Sequence, residues 1–503
     1  MKFVQFSNLG FVLGALVPFA TAIAVNLDKR DAAGTATVSL SEPSGKPQNL
    51  ASGFIYGFPS NPDGSANSDI PQKFIKDIGF NYCRAGGAQM SNSLGWVANQ
   101  YEGRWKSTLS NYRTTRRYKA RFTLLTHDLW GADSLQSNGF RYPGDEGNWK
   151  DFDKFLSQVI SDIKLNGMTP GLDIDIWNEP DLDLFWKAPQ PQYLAMWKRA
   201  YEKIRKELPD VTIVGPSTTT PPSLDNTWWV NYLKYIARTK TVPDVYSWHL
   251  LNPERNLRES KEQFEVLRKR YGLPEKPLNI NEYAWAGNDE QSPAGAVFYI
   301  SQLERHNAQG LRANWGSGPK LQDLMANLLV KKDGDYSPTG EWHVYSYYYK
   351  EMKGQRVSTS PSDDELFEVY ATRGGTAGTV RVLASVRPVA GEKTYNLVIK
   401  GLHSLKITGN AVRVRTKRFD GPNRETSIQG PVDLGIFKHT IKNDQVSIFE
   451  RRPSPAHQTF ETFRLSLHAT FLLPCTLLTS AIKINFWITP DDVTQAYAFE
   501  FEM

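Results

Sequence analysis

Two glutamates, Glu179 and Glu282, have the surroundings that acid/base chemistry needs. Glu179 lies in the run Asp173–Asp181 (DIDIWNEPD), where alternating polar and apolar residues give way to Asn178-Glu179-Pro180. Glu282 ends a second run of this kind, Leu278–Glu282 (LNINE). A single carboxylate at a strand end is usually a solvated loop charge, whereas two in one site can act as proton donor and nucleophile toward a sugar acetal. This chemistry therefore requires a fold that places Glu179 and Glu282 in one site.

A closed barrel would do so. Eight short apolar runs, separated by segments of helical length, have the pattern of parallel strands. They are Phe54–Phe58, Phe80–Arg84, Arg121–Thr126, Leu172–Glu179, Thr212–Pro216, Val245–Leu251, Leu278–Glu282 and Leu311–Trp315. This number predicts an α/β fold, a (β/α)8 TIM barrel over residues 50–348. Glu179 on the fourth strand and Glu282 on the seventh would then share the face formed by the carboxyl ends of the strands.

The remainder of the chain predicts an accessory all-β sandwich over residues 349–503. Alternating residues and Gly or Pro turns indicate strands at Leu366–Ala371, Thr379–Val386, Tyr395–Ile399 and Val412–Arg418. The alternating stretch Ala36–Leu40, within residues 31–49, is expected to join this sheet. A poorly patterned segment, residues 449–484, interrupts the last strand pattern. It is either a non-native insertion, such as a retained intron, or a long surface loop.

The N-terminus indicates secretion. Residues 1–24 combine Lys2 with an apolar run and end in small residues, which is typical of a signal peptide. Residues 25–30 end in Lys29-Arg30, so either a propeptide or a charged tail follows. With only Cys83 and Cys475, the chain does not rely on a disulfide framework. We expect an extracellular protein.

The region around Glu179 resembles a known family. Trp177-Asn178-Glu179-Pro180-Asp181-Leu182, followed by Phe185-Trp186-Lys187 and Tyr193, is similar to the acid/base region of glycoside hydrolase family 39, a clan A family of retaining enzymes that includes β-xylosidases and α-L-iduronidases. The resemblance covers about residues 50–350. It departs at Asn281-Glu282-Tyr283, where a Thr-Glu context is usual, and this leaves the sugar open.

The resemblance implies roles for four residues. Glu179 would be the general acid/base and Glu282 the nucleophile. Asn178 would hydrogen-bond the sugar hydroxyl next to the reacting carbon, and Arg84 would keep the nucleophile ionised. On physical grounds we expect Arg84 to lower the pKa of Glu282, and the negative nucleophile that Glu179 faces, together with the flanking Trp177, to raise that of Glu179.

Further residues at predicted strand ends are candidate sugar contacts. His249 has a position where the family carries a histidine, although a single histidine is more often structural. Trp315 and Trp285 could form a sugar platform or fill the core. His127 and Asp128 could contact the sugar or cap a loop.

Composition bears on partners. The net charge of +6 is a mild excess and does not indicate a nucleic-acid partner. A basic run from Arg104 to Arg121 predicts a solvated helix face, or alternatively attraction of a uronate-bearing substrate. No metal-ligand spacing, phosphate loop or cofactor motif is present in the sequence, and no membrane partner is expected. The oligomeric state is left open.

These observations predict a secreted retaining glycoside hydrolase acting on plant cell-wall or related polysaccharide. A β-xylosidase or an α-L-arabinofuranosidase-like activity is the first hypothesis. The alternatives are another clan A exo- or endo-glycosidase, including one directed at uronates, and a catalytically inactive glycan-binding barrel.

Overall fold

The computed structural model describes residues 32–90, 92–132, 140–252, 256–285, 290–313, 321–374, 379–390, 393–407, 409–442, 445–447, 486–487 and 493–502. The predicted signal peptide (1–24), the propeptide (25–30), Trp315 and the segment 449–484 lie outside the described residues.

The strands and helices of the described residues follow in chain order. The strands are β1 (Gly34–Pro43), β2 (Gly53–Ile55), β3 (Tyr82–Ala85), β4 (Arg121–Leu125), β5 (Leu172–Asp175), β6 (Thr212–Thr218), β7 (Val245–Leu250), β8 (Leu278–Tyr283), β9 (Ala308–Arg312), β10 (Leu329–Lys332), β11 (Asp335–Pro338), β12 (Gln355–Ser360), β13 (Phe367–Arg373), β14 (Val380–Val386), β15 (Thr394–Lys400), β16 (Ala411–Phe419), β17 (Val432–Lys442), β18 (Gln445–Ser447), β19 (Phe486–Trp487) and β20 (Ala496–Glu502). The helices are α1 (Gln72–Lys76), α2 (Tyr101–Arg117), α3 (Thr126–Trp130), α4 (Lys150–Leu165), α5 (Gln190–Glu207), α6 (Thr227–Thr239), α7 (Leu257–Arg270), α8 (Pro293–His306) and α9 (Gly340–Lys350).

Strands β2 to β9 form a closed parallel barrel, with helices between them in sequence. Closure is made by β2, which pairs with both β3 and β9. The predicted fold class is therefore confirmed. Helical periodicity accounts for the outer layer: on α4, the apolar residues recurring every three or four positions are buried, namely Phe152, Phe155, Leu156, Val159, Ile160 and Ile163.

The fourth barrel strand is shorter than predicted. It ends at Asp175, not at Glu179. Glu179 has a positive φ of 45°, which a strand does not accommodate, and its N–H donates to the carbonyl of Ser217 at 2.8 Å. The next residue, Pro180, has no N–H to continue a ladder. Glu179 therefore lies in a turn just beyond the strand, attached to the end of β6.

Apart from β10 and β11, which pair with each other, the remaining strands form one ten-stranded sheet, in the order β1-β12-β13-β14-β20-β16-β17-β18-β15-β19. We call it the accessory sheet. Strand β1 pairs antiparallel with β12 and parallel with β15, so the sheet curls back on itself. Apolar residues of one face, such as Val369, Val382 and Phe499, form a core inside the curl.

The other face of the accessory sheet packs on the barrel. Tyr370, Leu383 and Ala498, which are the sequence neighbours of the inward-facing residues, belong to the large core shared with the barrel helices. Since side chains alternate across a strand, these strands are buried on both faces. Helix α8 is the main barrel element against β13 and β14.

One edge of β15 pairs with two short strands in a consistent direction. Ser447 of β18 lies opposite Val398, and Phe486 of β19 lies opposite Tyr395, both antiparallel. Two residues separate Val398 from Tyr395, whereas 38 residues separate Ser447 from Phe486. The excess of 36 residues equals the length of the segment 449–484. Both short strands thus lie on the edge of β15 as parts of one interrupted strand.

Among the described residues, no helix is both long enough and apolar enough to cross a bilayer.

Candidate active site

The carboxyl ends of β7 and β8 and the turn after β5 bring three titratable side chains together. One ligand-type atom from each of Glu179, His249 and Glu282 lies within 4.8 Å of the other two. All three residues are buried. The two glutamates predicted as a pair therefore meet at the mouth of the barrel.

Arg84, at the end of β3, contacts three of the neighbouring groups. Its Nη1 atom donates to Oε1 of Glu282 at 2.7 Å, and its Nε atom donates to Oδ2 of Asp175 at 3.0 Å. Its Nη2 atom donates to Oδ1 of Asn178 at 2.7 Å. The guanidinium is 2% exposed, so these charge-assisted bonds operate away from bulk water. Arg84 fixes Glu282 and Asn178 relative to each other.

Beneath Arg84 lies a polar layer that was not predicted. Asp175 Oδ2 also accepts from Ser217 Oγ at 2.8 Å and from Asn281 Nδ2 at 2.9 Å. Ser217 Oγ is itself 2.7 Å from Ser247 Oγ. Burial raises the pKa of Asp175, and Arg84 opposes this shift. The sequence signal for this layer is an acidic residue inside a buried parallel strand, where an apolar residue is usual.

Glu179 and His249 form a direct contact. The Nδ1 atom of His249 is 2.8 Å from Oε1 of Glu179. Burial raises the pKa of Glu179 to about 7, and the Thr219 hydroxyl, Arg84 and His127 oppose the shift without cancelling it. The expectation of a raised pKa at Glu179 is confirmed. Near neutral pH its carboxyl group can hold a proton.

The expectation of a lowered pKa at Glu282 is wrong. Burial raises the pKa of Glu282 above its ordinary value, although His249 and Arg84 both lower it and Glu179 adds to the rise. The sequence indicates the partner Arg84 but not the depth of burial, and desolvation exceeds the attraction of one cation here. Of the two glutamates, Glu282 is the one that contacts the guanidinium, whose charge favours its ionised form and so opposes the effect of burial.

His249 is fully buried between the two carboxyl groups. Its Nε2 atom is 3.8 Å from Oε1 of Glu282. Burial lowers the pKa of His249 to about 4, so the ring is neutral at neutral pH. A neutral imidazole carries one proton, so one ring nitrogen is a donor and the other an acceptor.

His127 and Asp128 follow β4 at the same end of the barrel, and both are 3% exposed. The Nδ1 atom of His127 is 2.8 Å from Oδ1 of Asp128, and the ring packs edge-on against Trp177 and Phe185. Although burial raises the pKa of Asp128, the charges of His127, Arg104 and Arg84 hold it below its ordinary value. The pair borders the site on the side of Glu179.

Tyr56, after β2, is a site residue that the sequence did not suggest. Its φ of 67° is unusual for a non-glycine residue. Burial raises its pKa well above the ordinary value, and the charges of Glu282, Asp128 and Glu179 add to the shift, so Tyr56 lies near these side chains. Two residues later, the N–H of Phe58 donates to Asn111 Oδ1 on α2 at 2.5 Å. No local pattern predicts such a contact.

Trp285 lies three residues after Glu282 and is partly exposed, and its N–H donates to Glu290 Oε2 at 2.8 Å. Its predicted partner in a platform, Trp315, lies outside the described residues.

Only part of the basic run from Arg104 to Arg121 is the solvated face that was predicted: Arg117, Lys119 and Arg121 are exposed, whereas Arg104 is buried. Arg104 is 1% exposed and donates to the carbonyls of Ser93 and Asp128. Arg113 and Arg117 donate to the carbonyls of Gly64 and Asn67. These guanidinium groups bind the loops around α2, because a buried or half-buried carbonyl needs a donor.

In the part of the chain that the structure describes, Glu179, His249 and Glu282 are also the one group of histidine and carboxylate atoms close enough to hold a metal ion. No metal ligand was predicted there. The 2.8 Å separation of His249 Nδ1 from Glu179 Oε1 is a hydrogen-bond distance.

No family model matches the sequence, so membership of glycoside hydrolase family 39 stays a prediction. A curated relative is the 3-O-β-L-arabinopyranosyl-α-L-arabinofuranosidase of Bifidobacterium pseudocatenulatum, 23% identical over 240 residues, which are 43% of this chain. The match spans about a quarter of that relative, 24% of its length.

Solved structures share the fold over most of the chain. N2152 from Neocallimastix frontalis has a TM-score of 0.68 and 21% identity, with 93% of this chain and 99% of that chain covered. A glucosidase from Croceicoccus marinus has a TM-score of 0.57 and 13% identity, with 94% of this chain and 100% of that chain covered. AbfB, a family 51 α-L-arabinofuranosidase from Bifidobacterium longum, has a TM-score of 0.55 and 11% identity, with 93% of this chain and 99% of that chain covered. The chain thus has the fold of solved glycoside hydrolases.

Proposed function

We propose that the protein is a retaining glycoside hydrolase in which Glu179 is the general acid/base and Glu282 the nucleophile. The observation that carries the proposal is the convergence of their carboxylate oxygens within 4.8 Å. Retaining glycosidases place the two carboxyl groups about 5–5.5 Å apart, whereas inverting enzymes need about 6.5–9.5 Å to admit a water molecule. An approach of at most 4.8 Å between one oxygen of each glutamate fits the shorter separation and supports direct attack by a carboxylate.

The first step would break the glycosidic bond. The ionised Glu282 attacks the anomeric carbon, and the C–O bond to the leaving group breaks as the protonated Glu179 gives its proton to the leaving oxygen. The product is a glycosyl ester on Glu282. Arg84 stabilises the carboxylate before attack, and the pKa of about 7 keeps a proton available on Glu179 near neutral pH.

The second step would hydrolyse the ester. Glu179, now ionised, takes a proton from water, and the oxygen of that water attacks the anomeric carbon and releases Glu282. Asn178 supports both steps, because Arg84 occupies its Oδ1 atom and leaves its amide N–H groups to donate to a sugar hydroxyl. His127, Asp128, His249, Tyr56 and Trp285 would line the sugar site.

The substrate class that we propose is a pentose-containing glycoside of plant cell-wall or related polysaccharide. The name of the Bifidobacterium pseudocatenulatum relative makes an α-L-arabinofuranoside the first candidate, and a β-xyloside the second. The uronate alternative loses its support from α2, whose arginines donate to backbone carbonyls. We further propose that the protein is secreted, on the basis of the signal-like residues 1–24.

The test is a panel of aryl glycosides with the product anomer followed by NMR. We expect hydrolysis with net retention; an inverted product would overturn the two-glutamate mechanism. A 2-fluoro derivative of the preferred sugar should label Glu282, and mass spectrometry of the peptides should locate the label there.

Variants assign the roles. Glu282→Gln should abolish turnover but still bind the sugar, which separates an enzyme from a glycan-binding barrel. Glu179→Gln should lower the rate of hydrolysis by roughly 10²–10⁴-fold, mostly for substrates with poor leaving groups that need protonation. Glu368→Gln is the matched control, since Glu368 is a buried glutamate on β13 of the accessory sheet and forms an ion pair with Arg305 on α8. Resistance of the wild-type activity to a chelator would separate this proposal from a metal-dependent one.

A further inference from the structure

A buried ion pair joins the accessory sheet to the loops that follow the catalytic strands. Arg387, just after β14, places its Nε atom 2.5 Å from Oε1 of Glu290, which precedes α8. The two side chains are 3% and 0% exposed. Arg387 is anchored in the sheet, because its own N–H donates to the carbonyl of Leu366 at 2.7 Å. Its guanidinium also lies 4.7 Å from the ring of Phe298 on α8.

The second oxygen of Glu290 continues the contact toward the site. Its Oε2 atom accepts the N–H of Trp285 at 2.8 Å and the hydroxyl of Tyr299 at 2.6 Å. Trp285 comes three residues after Glu282, and the residue before it, Ala284, has a φ of 79°. A non-glycine residue in this conformation needs its neighbours to hold it. The Glu290 carboxylate supplies that restraint at the backbone of Trp285.

The same cluster also reaches the end of β7, which carries His249. Arg387 Nη2 donates to the carbonyl of Asn252 at 3.4 Å, and the Tyr299 hydroxyl is 3.4 Å from the carbonyl of Leu250. One arginine of the accessory sheet thus contacts, directly or through Glu290 and Tyr299, the chain segments after both β7 and β8.

A second ion pair across the same interface offers an internal comparison. Arg305 on the last turn of α8 binds Glu368 of β13 through both carboxylate oxygens, at 2.9 and 2.6 Å. It lies about 18 Å along α8 from the first residue of the helix, at 1.5 Å per residue, and so at the end of α8 opposite Glu290. Its guanidinium also donates to Thr359 and to the carbonyl of Val369, both in the accessory sheet.

We propose that Arg387 is a positioning residue for the active site: through Glu290 it holds the backbone of Trp285, and with Tyr299 it fixes the segments that carry Glu282 and His249. The accessory sheet then contributes to the geometry of the barrel mouth as well as to stability. Buried ion pairs add little net stability compared with apolar packing, so a role in fixing one local geometry accounts better for this one. The link to catalysis rests on the proposed function of Glu282, whereas the link to Trp285 does not.

The experiment uses the full chain labelled with 5-fluorotryptophan, with the fluorine resonance of Trp285 assigned by its absence in Trp285→Phe. We expect Arg387→Met to shift or broaden this resonance and to lower kcat/KM by between roughly tenfold and 100-fold, the range that a small misplacement of catalytic groups can cost. Arg305→Met should lower the melting temperature in a similar way while leaving both the resonance and kcat/KM at the wild-type values.

Two further variants keep the test decisive if Arg387→Met does not fold. Arg387→Lys keeps the charge but loses the planar fork, and should show the same change in the resonance to a smaller degree. The double variant Arg387→Met with Glu290→Gln removes both buried charges and should recover stability without recovering the wild-type resonance. An unchanged Trp285 resonance in the Arg387 variants, or an equal change in Arg305→Met, would overturn the inference. Absence of glycosidase activity in the wild-type protein would refute the proposed function and leave the fluorine result to decide this one.

Discussion

The Nδ1 atom of His249 lies 2.8 Å from Oε1 of Glu179, and both residues are buried. The ring is neutral near neutral pH, because burial lowers the pKa of His249 to about 4. When Glu179 is protonated, its hydroxyl can donate to Nδ1, and the proton of the ring is then on Nε2, which faces Glu282 at 3.8 Å. With its proton on Nε2, His249 therefore suits a protonated Glu179 on one side and an ionised Glu282 on the other, which are the states that the first step requires.

Replacing this histidine should change the pH dependence as well as the rate. A hydrogen bond to the protonated form of an acid raises its pKa, so His249→Phe should lower the pKa of Glu179. We expect the alkaline limb of kcat/KM to move to lower pH. An alkaline limb that stays in place, or moves upward, would contradict this hydrogen-bond assignment even if the rate falls.

The wild-type pH profile follows from the two glutamates. Glu179 must be protonated to act as an acid, so kcat/KM should fall as the pH rises through about 7, the value to which burial raises its pKa. Glu282 must be ionised to attack, so kcat/KM should also fall at low pH, through the raised pKa of that group. The expected profile is a bell with an acidic-to-neutral optimum. It is measured with an aryl glycoside, and in Glu179→Gln the alkaline limb should disappear.

The folding stability should depend on pH through Glu179, and the direction of this dependence follows from its raised pKa. The pKa of Glu179 is raised in the folded protein from 4.5 to about 7, so between these values the folded state binds a proton that the unfolded state has lost. Folding stability therefore falls as the pH rises from 4.5 to 7, by about 3 kcal/mol in total at 1.36 kcal/mol per pKa unit. Glu179→Gln should consequently be more stable than the wild type at pH 8, with a much smaller difference at pH 4.5. Melting temperatures of the two proteins at both pH values test this, and an equal difference at the two pH values would contradict it.

Arg84 should be needed both for folding and for catalysis. It bonds to the carboxylates of Asp175 and Glu282, and its removal leaves two buried carboxyl groups without a cation. Loss of one partner from a buried ion pair costs roughly 3–5 kcal/mol. We expect Arg84→Met to lose stability of this size in denaturant unfolding and to lose nearly all activity. Arg84→Lys should recover part of the stability but little activity, because an ammonium group cannot contact Glu282 and Asn178 with the same fork.

The sequence predicts the parts of the site that depend on local patterns. Strand periodicity and the barrel rule are enough to place Glu179, Glu282 and Arg84 at one end of the barrel. Asp175 and Tyr56 are missed because their roles come from contacts between strands distant in sequence; an acidic residue inside a buried strand signals a polar layer at Asp175, but it does not identify the partners. The sign of the pKa shift at Glu282 is missed for a related reason: the partner can be inferred, but the loss of water around it cannot.

The register of the accessory sheet leads to a prediction about residues 449–484. Removal of these 36 residues leaves two residues, 448 and 485, between Ser447 and Phe486, which matches the two residues between their partners Val398 and Tyr395. The deletion variant should therefore form one uninterrupted strand on the edge of β15. Closing a connection of 38 residues instead of two costs about 2–3 kcal/mol of loop entropy, so the variant should unfold at a higher denaturant concentration than the full chain. It should also keep the wild-type kcat/KM, because the strands on either side of the deletion, β18 and β19, pair with β15 of the accessory sheet and not with a barrel strand. Loss of folding in the variant, or the presence of these codons in the mature message, would contradict the interpretation of 449–484 as a non-native insertion.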